Sequence, residues 1–358
     1  MKQPQPYFEH IEHLKQTVES AAQDLAPAVV LRGSAGPHTV QIDPESFSEA
    51  LETRVQVELA VNYLHREVND ESAATDRPGL YRSLGDNWDL SGVLGTHEPL
   101  LEERALAETI DRLLLKRRGG GPVVALDFGG GYGLSWLRVA AQPAYRAAIE
   151  EGRLAMAVTN LGSISDQSID ADGYSGIAGQ INRDSQARQA DGNSPTFTPA
   201  DLQWVQDNQA RVQYLDTSAL ELAHTPVGLA DGGAIDLAGN VGIIHEDNAL
   251  SHSHTPDLAM ANFKEILTED GVLSSSTATY YHAMQVVREN EITLGNGRVV
   301  PMNEAYARQR RLSLIIGSKM LQQVFSYQHD VRRHRGIFSH APDPQAPRVP
   351  FKCGRILP

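Results

Sequence analysis

Val123-Val-Ala-Leu-Asp-Phe-Gly-Gly-Gly-Tyr-Gly133 is the stretch from which the fold of this 358-residue chain can be read. Residues 123 to 126 form the uninterrupted apolar run expected of a parallel strand buried on both faces. Asp127 follows, and then Gly129, Gly131 and Gly133 alternate. Glycine at such positions permits positive φ and close backbone approach. Leu134-Ser-Trp-Leu-Arg-Val-Ala-Ala141 then carries helical periodicity. The stretch predicts a strand, a nucleotide-cradling loop and a helix N-terminus.

The spacing excludes two common cofactor loops. A dinucleotide fingerprint places a third glycine or alanine where the helix packs on the strand, but here those positions hold Leu134 or Trp136, depending on the frame. A phosphate loop of the Walker type requires Gly-Lys-Ser/Thr, which does not follow.

Composition narrows the class further. With 41% hydrophobic residues the chain can bury a full α/β domain and an appendage. A formal net charge of −14 opposes nucleic-acid binding, which needs a dense field of Lys and Arg. The lone Cys353 forms neither an internal disulfide nor a thiolate zinc cluster, so a reducing cytoplasm is expected. No apolar run approaches the ~20 residues of a membrane span, and Met1-Lys-Gln-Pro-Gln-Pro6 lacks the apolar core of a secretory signal.

Periodicity places helices over residues 7 to 25 and 46 to 68, the second with an apolar stripe of Phe47, Leu51, Val55, Leu59 and Leu64. Loops are expected at Arg32-Gly-Ser-Ala-Gly-Pro37 and Asp76-Arg-Pro-Gly79, and a third helix over about 98 to 118. After the glycine loop, strands are expected at Arg153 to Leu161 and Arg211 to Leu215. Between them, residues 162 to 210 are rich in Ser, Asp, Gly and Asn. They read either as a lid or recognition loop, with Tyr174 and Arg183 as contacts, or as a mobile surface excursion. Asn296-Gly297 signals a tight hairpin turn.

The order acidic, apolar, Gly-x-Gly-x-Gly in Asp127 to Gly133 resembles the first motif of the class I S-adenosylmethionine-dependent methyltransferases. Three further segments are similar in the same order: Asp216 after the third strand, Ala234-Ile-Asp-Leu-Ala-Gly-Asn-Val-Gly-Ile-Ile-His245, and Glu269-Asp-Gly-Val-Leu-Ser-Ser-Ser276. The resemblance covers residues 100 to 280. It implies a Rossmann-like α/β fold with a mainly parallel seven-stranded sheet, helices on both faces and a helical N-terminal region. Val324-Phe-Ser-Tyr327 and Gly336-Ile-Phe-Ser339 would supply the antiparallel sixth and seventh strands. The implied organisation is a cap over 1–97, a cofactor-binding domain over 98–345 and a tail over 346–358.

The resemblance also implies a site for S-adenosyl-L-methionine. The loop Gly129, Gly130, Gly131, Gly133 would lie against its methionine and ribose part. Asp127 would polarise the loop, Asn160 would meet the ribose hydroxyls, Asp216 would accept from the adenine amino group, and backbone near Asn240 would complete the pocket. Asn160 departs from the family's acidic residue; an amide accepts from one hydroxyl and donates to the other. The acceptor would be a small molecule, with no nucleic acid or membrane partner and no metal, and a homo-oligomer is left open.

Methyl transfer from a sulfonium is largely a matter of positioning, with a base needed only for weak nucleophiles. His245, with Glu246 beside it, is the leading base; the competing reading is a packed histidine. His252-Ser-His254 lacks a third ligand for a metal and reads as a solvated loop. Arg332-Arg-His-Arg335 reads as a solvated charge run. Two alternatives stay open, a noncatalytic relative serving as an interaction module and a nicotinamide-dependent oxidoreductase.

Overall fold

The computed structural model describes residues 5–33, 36–74, 101–118, 120–162, 169–190, 197–247, 249–276, 291–293, 299–330 and 335–339. The expected loop at Asp76–Gly79, the Asn296-Gly297 turn, most of the Arg332–Arg335 run and the tail from 346 onward lie outside them.

Gln5–Leu25 forms α1, Ala28–Gly33 and Gly36–Gln41 pair as the antiparallel β1 and β2, Pro44–Ala74 forms α2, and Leu101–Lys116 forms α3. The expected helices are present, and the expected loop at 32–37 is the turn of a β-hairpin. On α2, Phe47, Leu51 and Val55 are buried. Removing each such side chain from water contributes roughly 1.5–3 kcal/mol. They share one apolar core with Leu14 and Val18 of α1. Among the described residues, α1 and α2 are therefore built into the main core.

The remaining elements alternate strand and helix, as a parallel sheet requires. In chain order they are β3 (Val123–Phe128), α4 (Leu134–Ala140), α5 (Pro143–Glu150), β4 (Leu154–Asn160), α6 (Gly176–Ala190), α7 (Pro199–Asn208) and β5 (Gln213–Asp216). There follow β6 (Pro226–Gly228), β7 (Ala234–Asp236), β8 (Val241–Glu246), α8 (Ala249–His252), α9 (Pro256–Ile266) and β9 (Leu267–Ser275). Last come β10 (Glu291–Thr293), β11 (Val299–Pro301), α10 (Glu304–Val324), β12 (Ser326–Asp330) and β13 (Arg335–Ser339).

Seven strands make the main sheet, in the order β12-β13-β9-β8-β3-β4-β5. Strands β3, β4, β5, β8 and β9 are mutually parallel, and β13 is antiparallel to both neighbours. The expected antiparallel final pair is present, with the reversal carried by β13. Alternate residues of β3 serve two cores: Val124, Leu126 and Phe128 face α1, α9 and α10, while Val123 and Ala125 face the helices flanking β4.

Two segments differ from the sequence reading. Residues 162 to 210 contain α6 and α7, whose Ile177, Ile181, Leu202 and Val205 are buried in the second core. This is a packed crossover rather than a surface excursion. Tyr174 and Arg183 belong to it: Tyr174 Oη donates to the Pro199 carbonyl (3.3 Å), and Arg183 lies beside Gly179. The fourth strand of the sheet is Val241–Glu246, not the segment beginning at Ala234, because β7 pairs with β6 in a separate hairpin.

Candidate functional site

The chain leaves β3 for β4 and β5 on one side and returns to β8 and β9 on the other. In open α/β sheets a ligand crevice forms at the C-terminal strand ends at such a switch point. The glycine loop starts there. Gly129, Gly131 and Gly133 have φ of 66°, 59° and 65°, values that disfavour any side chain. Space is equally restrictive: a Cβ on Gly130 would lie 2.3 Å from Asp127 Oδ2, and one on Gly133 2.7 Å from Val158 Cγ2. Gly129 N–H donates to Thr159 Oγ1 (3.0 Å) and Gly133 N–H to the Gly130 carbonyl (2.9 Å).

Register brings the next residues together. Asp127 stands opposite His245 in the β3–β8 pair, so both side chains project from the same face. Asp127 Oδ1 and His245 Nδ1 are 2.8 Å apart, and the residues are 4% and 5% exposed. The imidazole lies against Trp136, ring centroids 5.5 Å apart. Asn160 stands opposite Asp216 in the β4–β5 pair. Asn160 is 5% exposed and its Nδ2 donates to the Gly131 carbonyl (2.9 Å). Asp216 Oδ1 accepts from Gly162 N–H (2.9 Å) and Arg66 Nε (2.7 Å), and its side chain is 47% exposed.

Asn240 does not join this group. It precedes β8, whereas the glycine loop opens at the other end of the parallel strands. Six strand residues at about 3.3 Å each put roughly 20 Å between the two edges. Its amide closes a turn by donating to the Asp236 and Ala238 carbonyls (both 2.9 Å), with Gly239 at φ 67°. His245 lies near the end of β8, whereas the polar loop that holds Asn240 lies before its start.

A second set of polar residues comes from α2. Arg54, Glu58, Asn62 and Arg66 recur every four residues, which places them on one helix face. Arg54 makes a bidentate pair with Asp257 (2.9 and 2.8 Å), both side chains fully buried. Glu58 Oε2 accepts from the backbone N–H of His254 (2.5 Å) and from Ser253 Oγ (3.2 Å). Arg66 also reaches Glu221. Burial opposes its charge, but hydrogen bonds to Glu221 and Asp216 hold its pKa above the usual arginine value. The signal for this stripe was present in the sequence as polar residues at helical spacing, but they read as the wet side of an amphipathic helix.

His254 also departs from expectation. It is 3% exposed rather than solvated, and its Nδ1 is 2.9 Å from Tyr306 Oη of α10. Burial, with the charges of Arg310, His65, Arg54 and His252, lowers its pKa to about 3. Burial raises Tyr306 to about 12 and pushes Glu58 above the usual carboxylate value. Among the described residues no group of three His, Cys, Asp or Glu could hold a metal ion, and no helix is long and apolar enough to cross a membrane.

No family model matches the sequence, and no curated protein matches it. Among solved structures the chain is similar to the CurJ carbon methyltransferase, with a TM-score of 0.34 and 11% identity over 92% of this chain and 81% of that one. It is similar to the CMeT domain of the citrinin polyketide synthase, with a TM-score of 0.33 and 12% identity over 93% and 79%. The N-methyltransferase NodS from Bradyrhizobium japonicum, in complex with S-adenosyl-L-homocysteine, gives a TM-score of 0.31 and 13% identity over 77% and 100%. Likenesses at these TM-scores add nothing to what the strand order shows. The order of the seven strands, the glycine loop at their switch point and the reversed last strand give the chain the fold of the class I S-adenosylmethionine-dependent methyltransferases.

Proposed function

We propose that the chain is an S-adenosylmethionine-dependent methyltransferase acting on a small-molecule acceptor in a reducing cytoplasm. The observation that carries this reading is the glycine loop at the switch point, packed so closely on Asp127 and Val158 that only glycine fits at 130 and 133. These residues suit the cofactor. Gly129 is exposed, so the crest of the loop is open to a ligand, and Asp216 keeps nearly half its surface at the adjoining strand end.

In this reading Gly129 to Gly133 lie along the methionine and ribose part, and Asp216 accepts from the adenine amino group. Asn160 acts first through the loop, since its Nδ2 is committed to the Gly131 carbonyl. His245 is given a positioning role in place of the expected general base. Its ring is buried and bonded to Asp127, so its effect is to fix that carboxylate beneath Gly130. Bound cofactor supplies an activated methyl group; the protein supplies orientation and excludes water.

Calorimetric titration tests the proposal. S-adenosylmethionine and S-adenosylhomocysteine are both expected to bind, and NAD is not. Binding of NAD with neither of the others would overturn it. Asp127→Asn is expected to weaken S-adenosylhomocysteine at least tenfold, because loss of the carboxylate charge weakens its bond to His245 and frees the floor of the loop.

A further inference from the structure

Among the described residues, a cluster of buried polar side chains outside the proposed cofactor crevice lies where α2, the segment 251–257 and α10 meet. It adjoins the crevice directly: a Cβ on Gly129 would lie 2.6 Å from Ala249 Cβ, so the segment that carries His254 begins against the glycine loop. Glu246, the last residue of β8, ties this segment back by accepting from Leu250 N–H (2.9 Å). Glu58 holds its far end at His254 N–H, and Arg54 Nη1 donates to the His254 carbonyl (3.3 Å). The backbone on both sides of His254 is thus fixed by α2.

The imidazole is left with one partner. Nδ1 meets Tyr306 Oη, and Nε2 makes no hydrogen bond among the described residues. Two neighbouring buried atoms, Arg54 Nε and Thr255 Oγ1, also lack partners among them. Buried polar atoms left unpaired cost about 1–3 kcal/mol each, and such groups persist where a ligand or water completes them.

Resting on the cofactor assignment above, we propose that this is the acceptor subsite, that the acceptor presents a hydroxyl group of the phenol or enol type, and that His254 Nε2 receives its proton. With Nδ1–H donating to Tyr306 Oη, the lone pair is on Nε2. As the acceptor oxygen uses a lone pair to bond the methyl carbon, the carbon–sulfur bond breaks with its electrons remaining on sulfur. The O–H proton passes to Nε2, and the imidazolium later returns it to solvent. Even a base of depressed proton affinity suffices here, because a hydroxyl oxygen becomes strongly acidic as its bond to carbon forms.

The surrounding charges favour oxygen over nitrogen. Arg54 and His65 from α2, His252 from the same segment and Arg310 from α10 all bear on the ring as cations or potential cations. Glu58, the carboxylate facing it, is engaged by His254 N–H and Ser253. An amine takes positive charge onto its own nitrogen on methylation within this field, whereas a phenol or enol that gives up its proton as the bond forms ends as an uncharged ether.

The test uses full-length protein loaded with S-adenosylhomocysteine and titrated with para-nitrophenol, or with para-nitroaniline as the amine of matching shape. Wild type is expected to bind the phenol at least tenfold more tightly than the aniline. His254→Gln should lose at least tenfold for the phenol alone, with Tyr306→Phe between them. Nitrogen NMR of the wild-type ring should show Nε2, not Nδ1, responding to the phenol, a readout that a merely structural histidine would not move and that needs no folded variant. Failure of the phenol to bind, equal binding of phenol and aniline, an undiminished His254→Gln, or a silent Nε2 overturns the assignment. Calorimetry of S-adenosylhomocysteine alone separates the two readings: if it does not bind, the cofactor reading falls, and if it binds while the phenol does not, only the hydroxyl subsite falls.

Discussion

Replacing Arg54 by Met tests whether α2 is locked to the sheet by a buried ion pair. Arg54 and Asp257 are both fully buried, and Nη2 to Oδ2 is 2.8 Å. The guanidinium also lies over the Phe47 ring, 5.2 Å from its centroid. At an effective dielectric of about 20, unit charges about 4 Å apart attract by roughly 4 kcal/mol. Removing one partner forfeits that attraction and leaves the Asp257 carboxylate desolvated, for which about 3–5 kcal/mol is typical. The double variant Arg54→Met/Asp257→Leu removes the stranded charge, at the expense of an acidic side chain in the first turn of α9 worth about 0.3–1 kcal/mol. Urea unfolding followed by tryptophan fluorescence should give a loss of about 3–5 kcal/mol for the single variant and a coupling energy of at least ~2 kcal/mol in the cycle. A single-variant loss below about 1 kcal/mol, or additive single effects, would refute the lock. Hydrogen exchange offers a second reading, since the His254 carbonyl loses its Arg54 donor and the segment after β8 should exchange faster.

Three further outcomes are expected. Gly130→Ala drives a Cβ to within 2.3 Å of Asp127 Oδ2; it should destabilise by about 1–3 kcal/mol and weaken S-adenosylhomocysteine more than tenfold by calorimetry, and intact affinity would count against the loop. Asp216→Ala should cut that affinity about tenfold while costing no more than ~1 kcal/mol in urea unfolding, since its bond to Arg66 is partly solvated; the reverse pattern would make Asp216 purely structural. The His254 pKa falls from 6.5 to about 3 on folding, so between those pH values the unfolded chain binds more protons and stability declines as pH falls. The contribution is up to about 1.4 kcal/mol per pH unit, and urea midpoints of His254→Gln should fall less steeply over that window than those of wild type.

The glycine-loop side of the molecule, where the cofactor is proposed to bind, was legible as structure because its information is local. Asp127, the glycines and the helix after them are contiguous, and their spacing alone excluded two other loops. Asp216 and Asn160 end strands whose apolar runs are plain. Asn240 was misplaced because Ala234–Asp236 and Val241–Glu246 are both apolar, and single-sequence periodicity cannot say which of two adjacent runs enters the sheet. Pairing with β6 decides it. The start of α7 shows in Asp201-Leu-Gln-Trp-Val-Gln206, but α6 stays hidden for a related reason: Gln180, Asn182, Asp184 and Ser185 are all buried on it. A helix that buries polar residues lacks the apolar stripe by which helices are recognised. Asp184, for example, accepts from Tyr132 Oη, tying α6 to the glycine loop.

The proposed acceptor side was illegible because its residues come from positions 54 to 66, 251 to 257 and 306 to 310, and no one of them is unusual alone. The structure shows what unites them. Arg54, Glu58, Asn62 and Arg66 form one stripe on α2, and twelve residues at about 1.5 Å each extend it over roughly 18 Å. At one end the stripe holds the segment after β8 through Asp257 and His254; at the other it reaches Asp216, the last residue of β5. A single rigid helix thus touches the proposed acceptor subsite and the proposed adenine contact together. Burying such a stripe is costly unless every charge is answered, and a solvent-facing cap would have no need of it. The physical argument therefore favours α2 as a wall of the active site rather than a cover. It implies that a cut at the end of α2 would impair cofactor binding and acceptor binding together, whereas loss of a dispensable cap would spare both.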